Sequence, residues 1–133
     1  MNEFMTVAIA EAKKGMSHGE VPVGAVIVKD GAIIAKGSNR QIRDSDPAAH
    51  AEIVTLREAG KTQKNYRLDD CDMYVTVNPC AMCREALKRA RVRSVYYAAP
   101  GATEATHLPE YIEAVSFSES AGKLIKEFFS GKR

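Results

Sequence analysis

Residues 73–98 read MYVTVNPCAMCREALKRARVRSVYYA, and this stretch decides the fold. The run 73–77 is apolar and rich in β-branched residues, so a strand is predicted there. Asn78-Pro79 interrupts it, and a helix is predicted from Cys80 to about residue 90. Val92 then opens a second strand, predicted over 92–98. Strand, helix and strand in immediate succession imply a layered α/β domain with a partly parallel sheet.

Upstream, Phe4, Val7, Ala8, Ala12 and Met16 recur at helical spacing, joined by Met5 and Ile9, which predicts an amphipathic helix over 3–16. Gly15, Gly19 and Pro22 punctuate its end. Residues 24–28 and 32–36 are short apolar runs separated by Lys29-Asp30-Gly31. They read as a hairpin whose Asp-Gly turn supplies the positive φ. Residues 39–46 form a polar loop. Pro47 favours a first helical turn with Asp46 as N-cap, so a helix is predicted over 48–59, stopped by Gly60. Downstream, a loop with two prolines is predicted over 99–111, a fifth strand over 112–117, and a last helix over 118–129 that ends at Gly131.

With 133 residues, no internal repeat and no linker, residues 1–133 are expected to form a single domain. Charged residues make up 27% of the chain, and 19 Lys and Arg against 17 Asp and Glu leave a net charge of +2. That balance excludes a polycation and a highly charged disordered chain, but neither demands nor excludes a nucleic-acid partner. No apolar run approaches the length of a transmembrane helix, so no membrane is expected. The first residues, Met1-Asn2-Glu3-Phe4, lack the basic-then-apolar pattern of a signal peptide, which predicts a cytoplasmic protein. The 3 cysteines then point to metal or structural thiols rather than a disulfide framework.

Two short segments carry chemistry: His50-Ala51-Glu52 and Pro79-Cys80-Ala81-Met82-Cys83. Cys80 and Cys83 lie i and i+3 on a first helical turn, so both sulfurs face one way. Aligned peptide dipoles at a helix N-terminus are expected to lower thiol pKa values and favour the thiolate. His50 supplies a third ligand. Structural zinc sites close with four protein ligands, whereas catalytic sites keep a position for water. A Cys₂His set with Glu52 beside it therefore suggests catalysis, with the carboxylate shuttling the proton of an activated water. A lone Cys-x-x-Cys can also mark a redox pair or a structural knuckle, the minor alternative here, and a lone His-x-Glu means little. The two in this order, both opening helices, are far more specific. Cys71 has no partner at metal spacing and reads as an inert thiol; His18 and His107 read as solvated. The basic run of Arg84, Lys88, Arg89, Arg91 and Arg93 reads as a solvated face.

His-x-Glu followed by Pro-Cys-x-x-Cys is the signature of the zinc nucleobase deaminases. The chain resembles the cytidine deaminase-like superfamily and, within it, most resembles the bacterial tRNA-specific adenosine deaminases. The matching stretches are Glu20-Val21-Pro22-Val23-Gly24-Ala25-Val26, Gly37-Ser38-Asn39-Arg40, Asp46-Pro47-Ala48-Ala49-His50-Ala51-Glu52-Ile53, Asn65-Tyr66-Arg67-Leu68, Tyr74-Val75-Thr76 and the cysteine motif.

The resemblance implies a three-layer α/β/α fold with a mixed sheet of about five strands. One Zn²⁺ per chain would be held by His50, Cys80 and Cys83. Glu52 would move the proton, and Asn39 would hydrogen-bond the base edge. The Ala51 backbone would touch the base, and Val21 and Pro79 would wall the pocket. The implied activity is conversion of wobble adenosine to inosine in a tRNA anticodon loop, with a homodimer possible. The alternative is a deaminase of free cytosine or guanine, or of a nucleoside. Tyr96-Tyr97-Ala98-Ala99 and Leu68-Asp69-Asp70-Cys71 resemble the bacterial guanine deaminases. From another class, a catalytically silent zinc scaffold would not need Glu52. The chain departs from the tRNA deaminase pattern at Asn78, in the charged helix 84–91 and in the altered loop 99–111. Phe128 and Phe129 with Lys132 and Arg133 resemble that family's aromatic and basic C-terminus.

Overall fold

The computed structural model describes residues 2–100, 111 and 115–130. Helix α1 (Asn2–Ser17) precedes a hairpin of β1 (Gly24–Lys29) and β2 (Ala32–Ser38). Then follow α2 (Ala51–Gln63), β3 (Cys71–Val77), α3 (Ala81–Arg89), β4 (Ser94–Ala99) and α4 (Val115–Ser130). The hairpin turns on Asp30 at φ 50° and Gly31 at φ 77°, both left-handed as the Asp-Gly pair predicts. Strand order is β2-β1-β3-β4. β1 runs antiparallel to β2 and β3, while β3 and β4 are parallel, joined by α3 as crossover.

Alternation along the strands sets the layers. Ala25 and Ile27 of β1 and Met73 and Val75 of β3 share one face with Ala51 and Ala59 of α2 and Leu87 of α3. Val26, Val28 and Tyr74 point the other way, against Ala8 of α1, with Phe4, Met5 and Val7 around them. Tyr74 also stacks on Tyr96 of β4, ring centroids 4.7 Å apart. The result is a three-layer α/β/α arrangement around a mixed sheet: α1 on one side, α2 and α3 on the other.

The sheet has four strands among the described residues, where about five were expected. Of the fifth strand expected over 112–117, residues 112–114 lie outside the described residues and Val115 to Phe117 open α4. A short apolar run at the head of a longer amphipathic segment has the composition of either state, and here the helical period wins. Helix α2 also begins later and ends later than 48–59. Asp46 does cap, but it closes a local turn by accepting from Ala48 N–H at 2.9 Å; the helix starts beyond it, with His50 as N-cap. Gly60 lies inside the helix, and the stop is Lys64 at φ 53°, whose N–H returns to the Gly60 and Lys61 carbonyls. Glycine costs a helix about 1 kcal/mol, too little to end one whose neighbouring Ala59 is fully buried.

The glycine of Val23-Gly24-Ala25 has a packing reason. A Cβ built on Gly24 would overlap the Ala8 carbonyl oxygen and lie 2.6 Å from Ala12 N, so α1 presses its backbone directly on β1. On the opposite side, a Cβ on Gly37 would lie 2.9 Å from both Thr55 Oγ1 and Val54 Cγ1 of α2. Gly24→Ala is therefore expected to destabilise the fold by about 2 kcal/mol or more, seen in thermal unfolding as a Tm fall of roughly 8 °C. An unchanged Tm would show that α1 is free to move away from the sheet.

Candidate active site

Each segment singled out by the sequence ends on a helix N-terminus. His50 is the N-cap of α2 and Cys80 the N-cap of α3; both have extended backbone, and neither side chain makes a capping hydrogen bond. Cys83 lies in the first turn of α3, fully buried. The sheet and core hold the two helix starts side by side. His50 Nδ1 lies 3.6 Å from Cys80 Sγ and 3.5 Å from Cys83 Sγ. All three potential ligand atoms fall within 4.8 Å of one another.

The set fits zinc on its own geometry. With Zn–S about 2.3 Å and Zn–N about 2.0 Å at tetrahedral angles, each N···S edge should be about 3.5 Å. Among the described residues, this is the cluster of His, Cys, Asp and Glu side chains that could hold a metal. Three protein ligands leave a fourth position for water or substrate.

Glu52 sits on the first turn of α2 and is 4% exposed. Burial raises its pKa, while a backbone hydrogen bond, the nearby His50 and a hydrogen bond from the Cys83 thiol act in the opposite direction. A carboxyl tuned upward by its surroundings is suited to taking and returning a proton near neutral pH. The thiol corrects one expectation. Burial pushes Cys83 far above the ordinary thiol value, and the charges of Glu52 and Cys80 add to it. Desolvation outweighs the helix dipole because the sulfur has no solvent contact.

Asn39 follows β2 and is 6% exposed. Its Oδ1 accepts from Ala51 N–H at 2.7 Å, linking the loop to the first residue of α2. The Ala51 N–H is thereby engaged, and its carbonyl accepts from the buried Thr55 hydroxyl at 2.7 Å. Pro79 is buried next to Cys80, whereas Val21 is 59% exposed. The sequence reading missed Arg43 and quoted Glu20 only inside a matched stretch. A buried acid beside an apolar run has no periodic signature, and its partner lies 23 residues away.

The departures from the family pattern have local partners. Asn78 Oδ1 accepts from Arg84 Nη2 at 2.8 Å, and Arg84 Nε donates to the Pro79 carbonyl at 3.0 Å. The two altered positions thus form one clasp across the elbow between β3 and α3. Arg89 pairs with Glu85 one turn back at 3.5 Å, and Arg93 with Asp72 at 2.9 Å. Cys71 is buried, its thiol 3.6 Å from the Asp69 carbonyl, and burial raises its pKa. His18 is exposed as expected; His107, Lys132 and Arg133 lie outside the described residues.

Two helix N-termini that bring a Cys₂His set against a buried glutamate, on a layered α/β sheet, define a zinc-hydrolase type of centre. The chain belongs to the cytidine and deoxycytidylate deaminase zinc-binding family, whose model matches residues 1–99. It is 39% identical to a tRNA-specific adenosine deaminase of Agrobacterium fabrum, over 98% of this chain and 94% of that protein. It is 47% identical to the guanine deaminase of Bacillus subtilis over 72% of this chain and 62% of that protein. In three dimensions it superposes on the Bacillus subtilis guanine deaminase with a TM-score of 0.84 at 34% identity, covering 95% of this chain and 93% of the other. A solved structure from a study of A-to-I editing by tRNA:A34 deaminases gives 0.74 at 42% identity, covering 78% and 83%.

The raised Cys83 pKa makes metal uptake a proton-releasing reaction, since the ligand must be the thiolate. Zinc affinity is expected to rise with pH through the neutral range, with proton release seen in calorimetric titrations run in buffers of different ionisation enthalpy. Cys83→Ala should abolish uptake and lower Tm. Uptake with neither pH dependence nor proton release would show that the Cys83 thiol is already ionised in the metal-free chain.

Proposed function

We propose that this chain is a zinc-dependent hydrolytic deaminase acting as one domain over residues 1–133, and that it converts adenosine to inosine at the tRNA wobble position. The observation that carries the reading is the trio His50, Cys80 and Cys83 set against buried Glu52. The near full-length likeness to a tRNA-specific adenosine deaminase supports the substrate.

The reaction adds water to the purine carbon that bears the amino group and releases ammonia. His50, Cys80 and Cys83 would hold a zinc ion, which would supply Lewis acidity and make water a competent nucleophile near neutral pH. The protein does the rest. Glu52 takes a proton from the water and delivers it toward the base, so that the amine departs protonated. Its burial excludes bulk water that would otherwise level its pKa. Asn39, with Oδ1 given to Ala51 N–H, offers the base edge the donor end of its amide. The Ala51 backbone, Val21 and Pro79 complete the walls. RNA enters from solvent, and Lys132 and Arg133 supply cations for its phosphates. The setting is the cytoplasm. Among the described residues, no helix is long and apolar enough to cross a membrane. A homodimer through α3 would bury Glu85 and Arg89, which pair within the helix, and would require Lys88 to find a partner across the contact.

A second reading has its own support. The high structural likeness to Bacillus subtilis guanine deaminase over nearly the whole chain favours a free base as substrate. The two separate on one panel. Zinc-loaded protein is offered an anticodon stem-loop with a wobble adenosine, and free guanine, cytosine, adenine and their nucleosides. Ammonia and inosine from the RNA alone are expected. Turnover of a free base alone would move the protein to the small-molecule branch. Glu52→Ala is expected to cut turnover by about a hundredfold or more with zinc still bound; loss of zinc in that variant would make Glu52 a ligand instead.

A further inference from the structure

Among the described residues two carboxylates are buried, Glu52 and Glu20. Glu20 is not part of the metal cluster, and its surroundings are built around its charge. Glu20 Oε2 accepts from Arg43 N–H at 2.8 Å and from Arg43 Nε at 3.1 Å, while Oε1 accepts from Ile42 N–H at 3.1 Å. Burial alone would raise this carboxyl, but these hydrogen bonds and the guanidinium outweigh it and hold the group below its usual range. The same guanidinium reaches further: Arg43 Nη2 donates to the Asn39 carbonyl at 2.9 Å and to Ser38 Oγ at 3.4 Å.

Asn39 is therefore gripped at three atoms. Its N–H donates to the Val23 carbonyl at 3.2 Å, its C=O takes Arg43, and its Oδ1 takes Ala51 N–H. The last bond has one polarity. A backbone N–H is only a donor, so the amide atom facing it must be oxygen, and Nδ2 is turned away as a donor. An ion pair with one end buried and the other partly exposed is weak evidence for stability, since the desolvation cost offsets much of the attraction. Its distinct effect here is geometric: a charged fork fixes the backbone of one particular asparagine.

We propose that Glu20 and Arg43 are a positioning pair that locks Asn39 with its Nδ2 presented to the base. The base must then offer an acceptor (an unprotonated ring nitrogen or a carbonyl oxygen) at that edge. The proposal rests on the nucleobase reading of the site.

Two readouts test it, one independent of activity. Amide exchange followed by NMR should show the Ala51 N–H protected in the zinc-loaded protein. The first amides of a helix are ordinarily unbonded and exchange freely. Glu20→Gln removes the charge and keeps the shape; Arg43→Lys keeps a charge and removes the fork. Each should speed Ala51 exchange by about tenfold or more, the worth of one charge-assisted hydrogen bond. Exchange within α2, at Thr55, should hold. On the substrate that the wild-type protein turns over, both variants should raise KM about tenfold with kcat within about twofold and zinc stoichiometry unchanged. Asn39→Asp is the discriminating third variant. It keeps an acceptor for Ala51 N–H, so that amide stays protected, but it has no donor for the base, so KM rises.

Unchanged Ala51 exchange in both Glu20→Gln and Arg43→Lys overturns the positioning role. An unchanged KM in these variants, with only Tm lowered, reduces the pair to a structural one and also overturns it. A wild-type protein inactive on every nucleobase defeats the functional reading instead, and the exchange experiment still decides whether the pair holds Asn39.

Discussion

The hydrogen bond from Ala51 N–H to Asn39 Oδ1, 2.7 Å long, is the constraint on which the centre depends. It fixes where α2 begins. His50 must then be the cap and Glu52 must lie on the first turn, facing inward. A helix that began at Pro47 would replace the extended backbone of His50 with helical backbone and turn its ring away from the cysteines. The second helix start, at Cys80, is fixed by different means: the parallel strand β3 ends at Val77, and Arg84 closes the elbow that follows. Two independent devices thus bring three potential ligand atoms from two helix starts within 4.8 Å of one another.

The sheet supplies the rigidity that makes those devices effective. Gly24 and Gly37 allow helices to approach β1 and β2 with almost no side chain between. At Gly37 this contact seats α2 closely on β2, so the helix that carries Glu52 and follows His50 has little room to shift. Large side chains are reserved for the middle of the sheet, where Ile27, Met73 and Val75 fill the space under α2 and α3.

Much of this was legible in the sequence. The Asp-Gly hairpin, the order of elements through β4 and the two ligand segments all came from local chemistry that operates over a few residues. The start of α2 was misread for the same reason: Asp46 and Pro47 have the chemistry of a helix start, and they use it in a turn that precedes the real one. The true start is set by Asn39, 12 residues upstream, and no local pattern records that. Gly60 was over-weighted as a terminator, because its cost is local while the packing of Ala59 is tertiary. The raised Cys83 thiol escaped because helix dipoles are readable from sequence and burial depth is not. The basic run from Arg84 to Arg93 reads in the sequence as a solvated face. In the fold, Arg84, Arg89 and Arg93 each have a partner that becomes a neighbour only after folding or helix formation.

The N-cap is the position at which a helix gains most from one polar side chain. A Ser, Thr, Asp or Asn there contributes about 1 kcal/mol. In this protein His50 and Cys80 occupy both such positions of the central helices without capping them. The chain forgoes two inexpensive sources of stability at the sites that define it, and the same two side chains are placed to share a metal ion instead. Selection for robustness alone would push both positions toward aspartate or serine. Exchanging His50 and Cys80 for those residues would gain two caps and lose the ligands through which one ion could tie the two helices together.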